Sequence, residues 1–348
     1  TLLRPRVVDA NHFTIIDHVF GQPVQRARSW VSVLVPFYGE ASIAVAAPAP
    51  TGTVRGGVEA TLAPWDGGDA TVGGGFPDVR PYAIAAREPS ALRVPVRSTV
   101  KRLVSDWSSG PIWRMPRPVL DDAGIGTVQL RPRDTWRTES VLAGTLVHEL
   151  PAALENVLIV AAPGQTALGR PLRNNLVTDA RAFKLPSWEP GTPLDLAAVT
   201  NDEGARSLLS EYLRDLTPTV RSAFSLGDTA SVISPSVRLQ AVSFFASLTP
   251  PPRGQSIQDM PVAAVRTHTQ GLDLSRWLTR PCLIIVGTVS ATGRDGSPVR
   301  IYVDGNTEPV PTDGTTLVRW VYPLDAAPPI VRVPSGLIED ERETSTDD

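Results

Sequence analysis

Three apolar runs near the end of the chain decide the fold, namely CLIIVGTVSA (282–291), VRIYVD (299–304) and TLVRWVYPL (316–324). Short runs rich in Val, Ile and aromatic residues are typical of β-strands. RDG and DG sequences separate them, and Asp-Gly is typical of the tight turn between antiparallel strands. These runs therefore predict antiparallel hairpins in the last part of the chain.

Composition extends this prediction to the whole chain. The 348 residues include 27 Gly and 34 Pro, while 42% are hydrophobic and 20% are charged. Many turn-forming residues with few long helical stretches favour short strands joined by turns. We expect a mainly β protein, an antiparallel β-sandwich with long loops and one or two short helices.

Further strands are predicted along the chain. They are ASIAVAA (41–47), TGTVRGGVEATLAPW (51–65), ALRVPVR (91–97), TVQLR (127–131), LVHEL (146–150) and VLIVAAP (157–163). Residues 41–47 are nearly all apolar, which predicts a strand covered on both faces. Pro95 cannot donate a ladder hydrogen bond, so 91–97 is expected at a sheet edge or at a bulge.

Two segments carry helical signals. After Pro23, the residues Val24, Ala27, Val31 and Leu34 fall at helical spacing. In the second segment Thr200 and Glu203 form a capping box, and an apolar stripe follows, which predicts a helix near 201–216.

Two other segments are predicted to lack helices. Residues 107–126 are expected to form a loop. The run 236–249 alternates and then changes phase near Ala241, which predicts a strand with a β-bulge.

The same signals suggest a domain organisation. Residues 1–249 form a main β-rich domain, and the Pro-rich stretch 250–261 is a linker. Residues 262–338 are further β-hairpins, packed on the main body or forming a second β-domain. Residues 339–348 are an acidic tail, expected to be disordered.

Charge and hydropathy limit the possible partners. The net charge is −3, but the acidic tail alone carries −5, so the rest of the chain carries +2. A near-neutral body without a basic arm argues against strong nonspecific binding of nucleic acid. No apolar run approaches the ~18 residues that span a bilayer, so no membrane span is expected. The chain begins with Thr1, which suggests a processed or trimmed product.

A search for catalytic motifs assigns no site. The four histidines, His12, His18, His148 and His268, are not at metal-ligand spacing. His148-Glu149 begins like a zinc-protease signature, but the second His is missing, so a satisfied core or surface His is expected. A nucleophile elbow, a P-loop and a dinucleotide fingerprint are also lacking in the sequence.

The remaining candidates have simpler interpretations. Asp121-Asp122 and Asp228-Thr229 could belong to a hydrolase, but each also fits a turn or a cap. Cys282 is the single cysteine and is interpreted as a small buried apolar residue, so no intrachain disulfide is expected. We therefore assign no catalytic, cofactor-binding or metal-ligating residue, expect no cofactor, and expect a protein that is not an enzyme.

One family resemblance adds to this reading. GQPVQRARSW (21–30) resembles a helix motif of the form G-E-x-[VI]-x-S-x-R-x-L in capsid proteins of picorna-like viruses. Gly21, Gln22, Val24 and Arg28 match it, with Gln22 in place of Glu, and Arg26 replaces Ser while Trp30 replaces Leu. VPFYGEASIAV (35–45) and LRVPVRS (92–98) resemble strands that follow in that family. WLTRPCLIIVGTVSATGRDGSPVRIYV (277–303) looks like the family's first strand pair, although it lies near the end of this chain.

The resemblance implies a jelly-roll coat protein that assembles, with copies of itself and possibly with other capsid proteins, into a viral shell around a genome. Its location would then be the virion. An alternative from a different class is an extracytoplasmic β-sandwich binding domain of a larger bacterial envelope protein.

Overall fold

The protein is described by a computed structural model. The described residues are 8–36, 38–46, 60–64, 90–97, 100–109, 113–120, 126–132, 135–136, 139–164, 180–201, 207–209, 211–212, 240, 243–244, 272–291 and 297–324.

These residues form short helices and strands β1 to β17. The strands are β1 Asp9–Val19, β2 Gln25–Leu34, β3 Tyr38–Ala46, β4 Thr61–Pro64, β5 Ala91–Arg97, β6 Val100–Ser109, β7 Arg114–Pro118, β8 Gln129–Leu130, β9 Leu142–Ala143, β10 Thr145–Glu149, β11 Leu154–Pro163, β12 Arg181–Trp188, β13 Leu194–Asp195, β14 Ser207–Leu208, β15 Pro281–Ala291, β16 Arg300–Val303 and β17 Thr312–Pro323. Helix α1 spans Leu196–Asn201, and a 3-10 helix spans Ser275–Thr279.

A nine-stranded sheet crosses the molecule, in the order β14-β12-β11-β15-β17-β1-β2-β6-β4. Its neighbouring strands are antiparallel except β1 and β17, which run parallel from Ala10 opposite Thr312 to Val19 opposite Val321. Three smaller sheets have the orders β13-β10-β7, β16-β3-β5 and β8-β9. The prediction of a mainly β, sandwich-like fold with few short helices is confirmed.

One face of the large sheet, which we call the inner face, is covered by two different cores. The first core includes Ile16 and Trp107 of the large sheet and Leu146 of β10. The second includes Val31 and Leu103 of the large sheet, together with Val94 of β5 and Ile301 of β16. The sheets β13-β10-β7 and β16-β3-β5 therefore pack side by side over one spanning sheet.

The opposite face, called here the outer face, has a third core. Its centre is formed by β11, β12, β15 and β17, with Ile284 and Leu317 fully buried. Leu278 of the 3-10 helix, Tyr212 and Phe244 pack against it. Side chains on the outer face of β2 and β6, such as Trp30 and Asp106, remain partly exposed.

The helix predicted from Val24 to Leu34 is wrong, because this segment is strand β2. Its burial alternates strictly, with Ala27, Val31 and Val33 on the inner face. Gln25 and Ser29 are also buried there, and these polar residues concealed the two-residue period in the sequence. The segment that resembles the capsid helix motif is therefore extended in this protein.

The predicted start of the next helix is also wrong. Thr200 lies inside α1, where its hydroxyl donates to the Leu196 carbonyl, and α1 ends at Asn201. The Asp195 carboxylate instead accepts from the Ala197 N–H at the start of α1. Leu209 and Tyr212 are helical and buried, whereas 202–206 and 213–216 lie outside the described residues.

The strand predicted at 236–249 is contradicted at the residues that the structure describes there. Gln240 and Ser243 are helical, and they are buried together with Phe244. Spacings of three and four residues place all three side chains on one side of a helix. Ala241 itself lies outside the described residues.

Several strand predictions need smaller corrections. Strand β3 exists, but only one of its faces is fully buried. The predicted loop at 107–126 contains the end of β6 and all of β7. β16 does not form a hairpin with β15, because it pairs with β3 in another sheet, while β15 pairs directly with β17.

The edge position of ALRVPVR is confirmed. β5 lies at the edge of its sheet, pairs with β3 on one side only, and buries Leu92, Val94 and Val96. Of the strands in the segment 262–338, β15 and β17 lie at the centre of the large sheet, between β11 and β1, whereas β16 lies at the edge of the sheet β16-β3-β5. The proposed linker 250–261 and the acidic tail 339–348 lie outside the described residues.

Candidate functional site

His148 is a structural residue of the inner core. It is fully buried on β10, and its Nε2 lies 3.0 Å from the Trp188 carbonyl oxygen, to which it donates. Its Nδ1 accepts from the Leu150 N–H at 3.2 Å, and the Trp188 ring packs edge-on against it. Burial lowers the pKa of His148, so the ring is neutral and both of its nitrogens are occupied.

Glu149 points away from His148, because successive side chains of a strand alternate between faces. Its carboxylate accepts from Arg114 at 2.6 Å and from Arg117 at 3.0 Å, both on the neighbouring strand β7. Hydrogen bonds from these two arginines lower the pKa of Glu149. His148 and Glu149 therefore do not form a catalytic pair.

The other candidate residues do not come together in the described part of the chain. Asp121, Asp122, Asp228, Thr229 and His268 lie outside it. Within it, no three His, Cys, Asp or Glu side chains are grouped as metal ligands. Cys282 is buried, as predicted, and its thiol donates to the Trp277 carbonyl.

A cavity of about 280 Å³ lies on the outer face where β1, β2, β4 and β6 meet. Residues of two ion pairs line it, namely Arg28 and Asp106 of one pair and the Asp17 carboxylate of the other. Arg28 donates to Asp106 at 2.6 and 3.3 Å, with both side chains partly exposed. Arg319 donates to both carboxylate oxygens of Asp17, and its side chain is only 1% exposed.

Arg26 is the remaining charged residue of this cavity. It lies opposite Asp17 in the β1–β2 register, is exposed, and makes no ion pair with any described residue. Two carboxylates, Asp17 and Asp106, and two guanidinium groups, Arg26 and Arg28, line the cavity, so its lining is neutral overall. Arg26 is the lining guanidinium without an ion-pair partner among the described residues, and a guanidinium of this kind can bind the carboxylate of a small ligand.

A row of hydroxyl side chains crosses the inner face. Thr316, Thr14, Ser29 and Ser105 lie opposite one another on β17, β1, β2 and β6, and each is fully buried. We call these four residues the polar row. It lies between the two inner cores, because Ile16 on one side belongs to the first and Val31 on the other to the second.

His12 extends the polar row. Its Nδ1 lies 2.9 Å from Thr14 Oγ1, and Thr14 Oγ1 lies 2.8 Å from Ser29 Oγ. The side chain is 5% exposed, and burial lowers its pKa to about 4 although Asp313 nearby acts in the opposite direction. His12 is therefore neutral at physiological pH.

Only a partial signal for these features is present in the sequence. Arg26 and Arg28 alternate with buried residues, and the strand period would have placed them on one face. The pairing of Asp17 with Arg319 and the polar row depend on contacts between distant strands, which the sequence pattern does not contain.

The fold and these sites define a mainly β protein with a spanning mixed sheet, in which the candidate residues that the structure describes do not form a catalytic centre. No family model matches the sequence, and no curated protein matches it. One similar solved structure is the yeast delta-COP-I mu-homology domain in complex with a Dsl1 WxWxV peptide. The identity is 7%, the match covers 91% of this chain and 98% of that chain, and the TM-score of 0.32 is too low to indicate a common fold.

The described helices are also too short to cross a membrane.

Proposed function

We propose that this chain is a structural coat subunit, which assembles with copies of itself into a closed shell and does not catalyse a reaction. Its location would be the virion. The observation that carries the proposal is the use of buried ionisable groups. Arg319 and His148 hold one strand or layer to another, and neither faces a cleft where a substrate could be transformed.

The arrangement of β3 and β5 supports the shell function. VPFYGEASIAV and LRVPVRS, which resemble consecutive parts of picorna-like capsid proteins, contribute these two strands. They pair antiparallel from Tyr38 opposite Arg97 to Ala44 opposite Ala91. The extended structure of GQPVQRARSW removes the helix from the resemblance, so the support comes from β3, β5 and the sandwich architecture.

Exposed apolar side chains offer a contact surface between copies. Tyr38 is 79% exposed and Val100 is 46% exposed. The two lie at the same end of the molecule, because Val100 is opposite Leu34 and β3 begins four residues after Leu34. Contact with another subunit at this end would remove the apolar surface of both side chains from water.

Sedimentation velocity of the full chain over a range of concentrations tests this contact surface. We expect assemblies that grow with concentration, and a Tyr38→Asp variant that shifts towards monomer. Glu40→Gln is a matched control, because Glu40 is exposed on the same strand but is not apolar. Equal sedimentation of wild type and Tyr38→Asp, both monomeric, would count against assembly through this end.

A binding domain, for example an extracytoplasmic β-sandwich module, is the second candidate function. The cavity beside Arg26 favours it, because Arg26 is exposed and unpaired with described residues. Small carboxylates such as citrate should then raise the melting temperature, and Arg26→Gln should abolish that rise. A chain that stays monomeric and shows this effect would favour the binding domain over the shell.

A further inference from the structure

The polar row contains buried polar atoms that no described residue satisfies. Thr316 Oγ1 and Ser105 Oγ, at its two ends, have no hydrogen-bond partner, and neither does His12 Nε2. Trp107 Nε1, on the same face of β6 and two residues from Ser105, is also unpartnered. Buried polar atoms are nearly always hydrogen-bonded, so these four atoms call for partners beyond the protein's own side chains, Thr316 and His12 towards one end of the row and Ser105 and Trp107 at the other.

The row is bonded directly only at its centre. Thr14 and Ser29 are joined directly at 2.8 Å. Thr316 and Ser105 lie one strand further out, opposite Thr14 and Ser29, and make no such bond. One bridging oxygen that makes two hydrogen bonds of about 2.8 Å can join two hydroxyls on adjacent strands that do not bond directly.

The chemistry of the row fits a neutral ligand that can both donate and accept hydrogen bonds. The atoms that need partners are two hydroxyls, an indole N–H and a neutral imidazole nitrogen. Either tautomer of His12 leaves Nε2 needing a partner, as a donor or as an acceptor. A water molecule can serve both cases, and it donates and accepts equally well to a hydroxyl.

The space near His12 is limited. A Cβ on Gly314 would lie only 2.6 Å from the His12 ring carbon Cδ2, so ring and strand β17 are already in close contact. The row also lies between two apolar cores, whose packed side chains leave little room for a larger molecule.

We propose that the polar row is a buried hydration site, in which single water molecules bridge Thr316 to Thr14 and Ser105 to Ser29, with a further one on His12 Nε2. This water layer separates the two inner cores, so that the sheets β13-β10-β7 and β16-β3-β5 pack as two units on one spanning sheet.

A high-resolution crystal structure of the full chain tests this directly. We expect ordered water within hydrogen-bond distance of Thr316 Oγ1, Ser105 Oγ and His12 Nε2. Side chains that rotate to bond one another directly, or a dry row, would overturn the proposal.

Melting temperatures give an independent test in solution. Thr316→Val keeps the shape but removes the hydroxyl. If water is bound there, valine removes one of the hydrogen-bond partners of that water, and the variant melts about 1–2 °C lower than wild type. If the row is dry, the variant removes an unsatisfied polar atom and melts higher, which contradicts the proposal. Thr312→Val is a control for loss of a hydroxyl with a known protein partner, because Thr312 donates to the Val310 carbonyl.

Discussion

Asp17 on β1 and Arg319 on β17 form a bidentate ion pair between the two parallel central strands. The Arg319 Nε lies 2.5 Å from one carboxylate oxygen of Asp17, and Nη2 lies 2.6 Å from the other. Arg319 also donates to the Leu272 carbonyl. The pair therefore fixes two strands that are 302 residues apart in sequence.

Asp17→Asn tests the importance of this pair. It leaves the Arg319 guanidinium, 1% exposed, without its carboxylate. Because Asp17 is itself partly exposed, we expect a loss of about 2–4 kcal/mol in the free energy of unfolding, somewhat below that of a fully buried pair. Urea unfolding of the wild type and of Asp17→Asn measures this loss.

The second ion pair of the same sheet supplies the control. Arg28 and Asp106 are 39% and 47% exposed, so Asp106→Asn should cost less than about 1 kcal/mol. Equal losses in Asp17→Asn and Asp106→Asn would show that burial of Arg319 has no energetic consequence.

Acid should destabilise the protein through His12. Burial lowers the pKa of His12 to about 4, below the value of 6.5 expected in the unfolded chain. Between these values the unfolded state binds more protons, so stability is full above about pH 6.5 and falls as the pH drops towards 4. The maximum loss is about 3 kcal/mol, from the difference between the two pKa values.

His12→Gln should flatten part of this pH profile, measured as the free energy of urea unfolding from pH 4 to 7. Burial also lowers the pKa of His18 and His148, which contribute with the same sign, so some slope remains. A His12→Gln protein with the wild-type slope would contradict a buried, neutral His12.

Gly314 allows β17 to approach β1 beside His12. A Cβ at Gly314 would clash with the His12 carbonyl oxygen, which is a main-chain atom and cannot move aside easily. We expect Gly314→Ala to cost more than about 3 kcal/mol, at or beyond the upper end for overpacking. Thermal unfolding monitored by circular dichroism gives the comparison.

Gly305→Ala is its control. Nothing lies within 4 Å of a Cβ there, and only the backbone angle φ of +70° disfavours alanine. The cost should be about 1–2 kcal/mol. If Gly314→Ala lowers the free energy of unfolding no more than Gly305→Ala does, β1 and β17 do not approach each other as closely as described.

The two lysines of the chain report on the burial of β6. Lys101 is 1% exposed on the inner face, whereas Lys184 is exposed and lies over the Tyr212 ring at 4.4 Å. An amine-reactive reagent should therefore label Lys184 in the native protein and Lys101 only after unfolding. Peptide mass spectrometry reads out both sites, and fast native labelling of Lys101 would contradict the packing of the second inner core.

Local sequence patterns predicted where the strands lie in the chain better than they predicted which strands pair with each other. ALRVPVR showed both its buried side and its edge position, because Pro95 and the alternating Leu92, Val94 and Val96 act locally. β2 was misinterpreted because Val24, Ala27, Val31 and Leu34 also fit a helical period. The buried polar residues Gln25 and Ser29 hid the strand period.

Long-range pairing was not predictable from these patterns. The sequence after β15 does contain turn signals. They do not specify that β16 pairs with β3 in another sheet, or that β17 pairs with β15. The parallel contact of β1 with β17 joins the two ends of the described chain and has no local signal. The polar row follows from that contact, so it could not be predicted either.

Electron microscopy of the purified full chain at high concentration tests the central claim most directly. A coat subunit predicts closed particles of uniform diameter. A field of dispersed monomers, under conditions in which circular dichroism shows the β-rich fold intact, would contradict it.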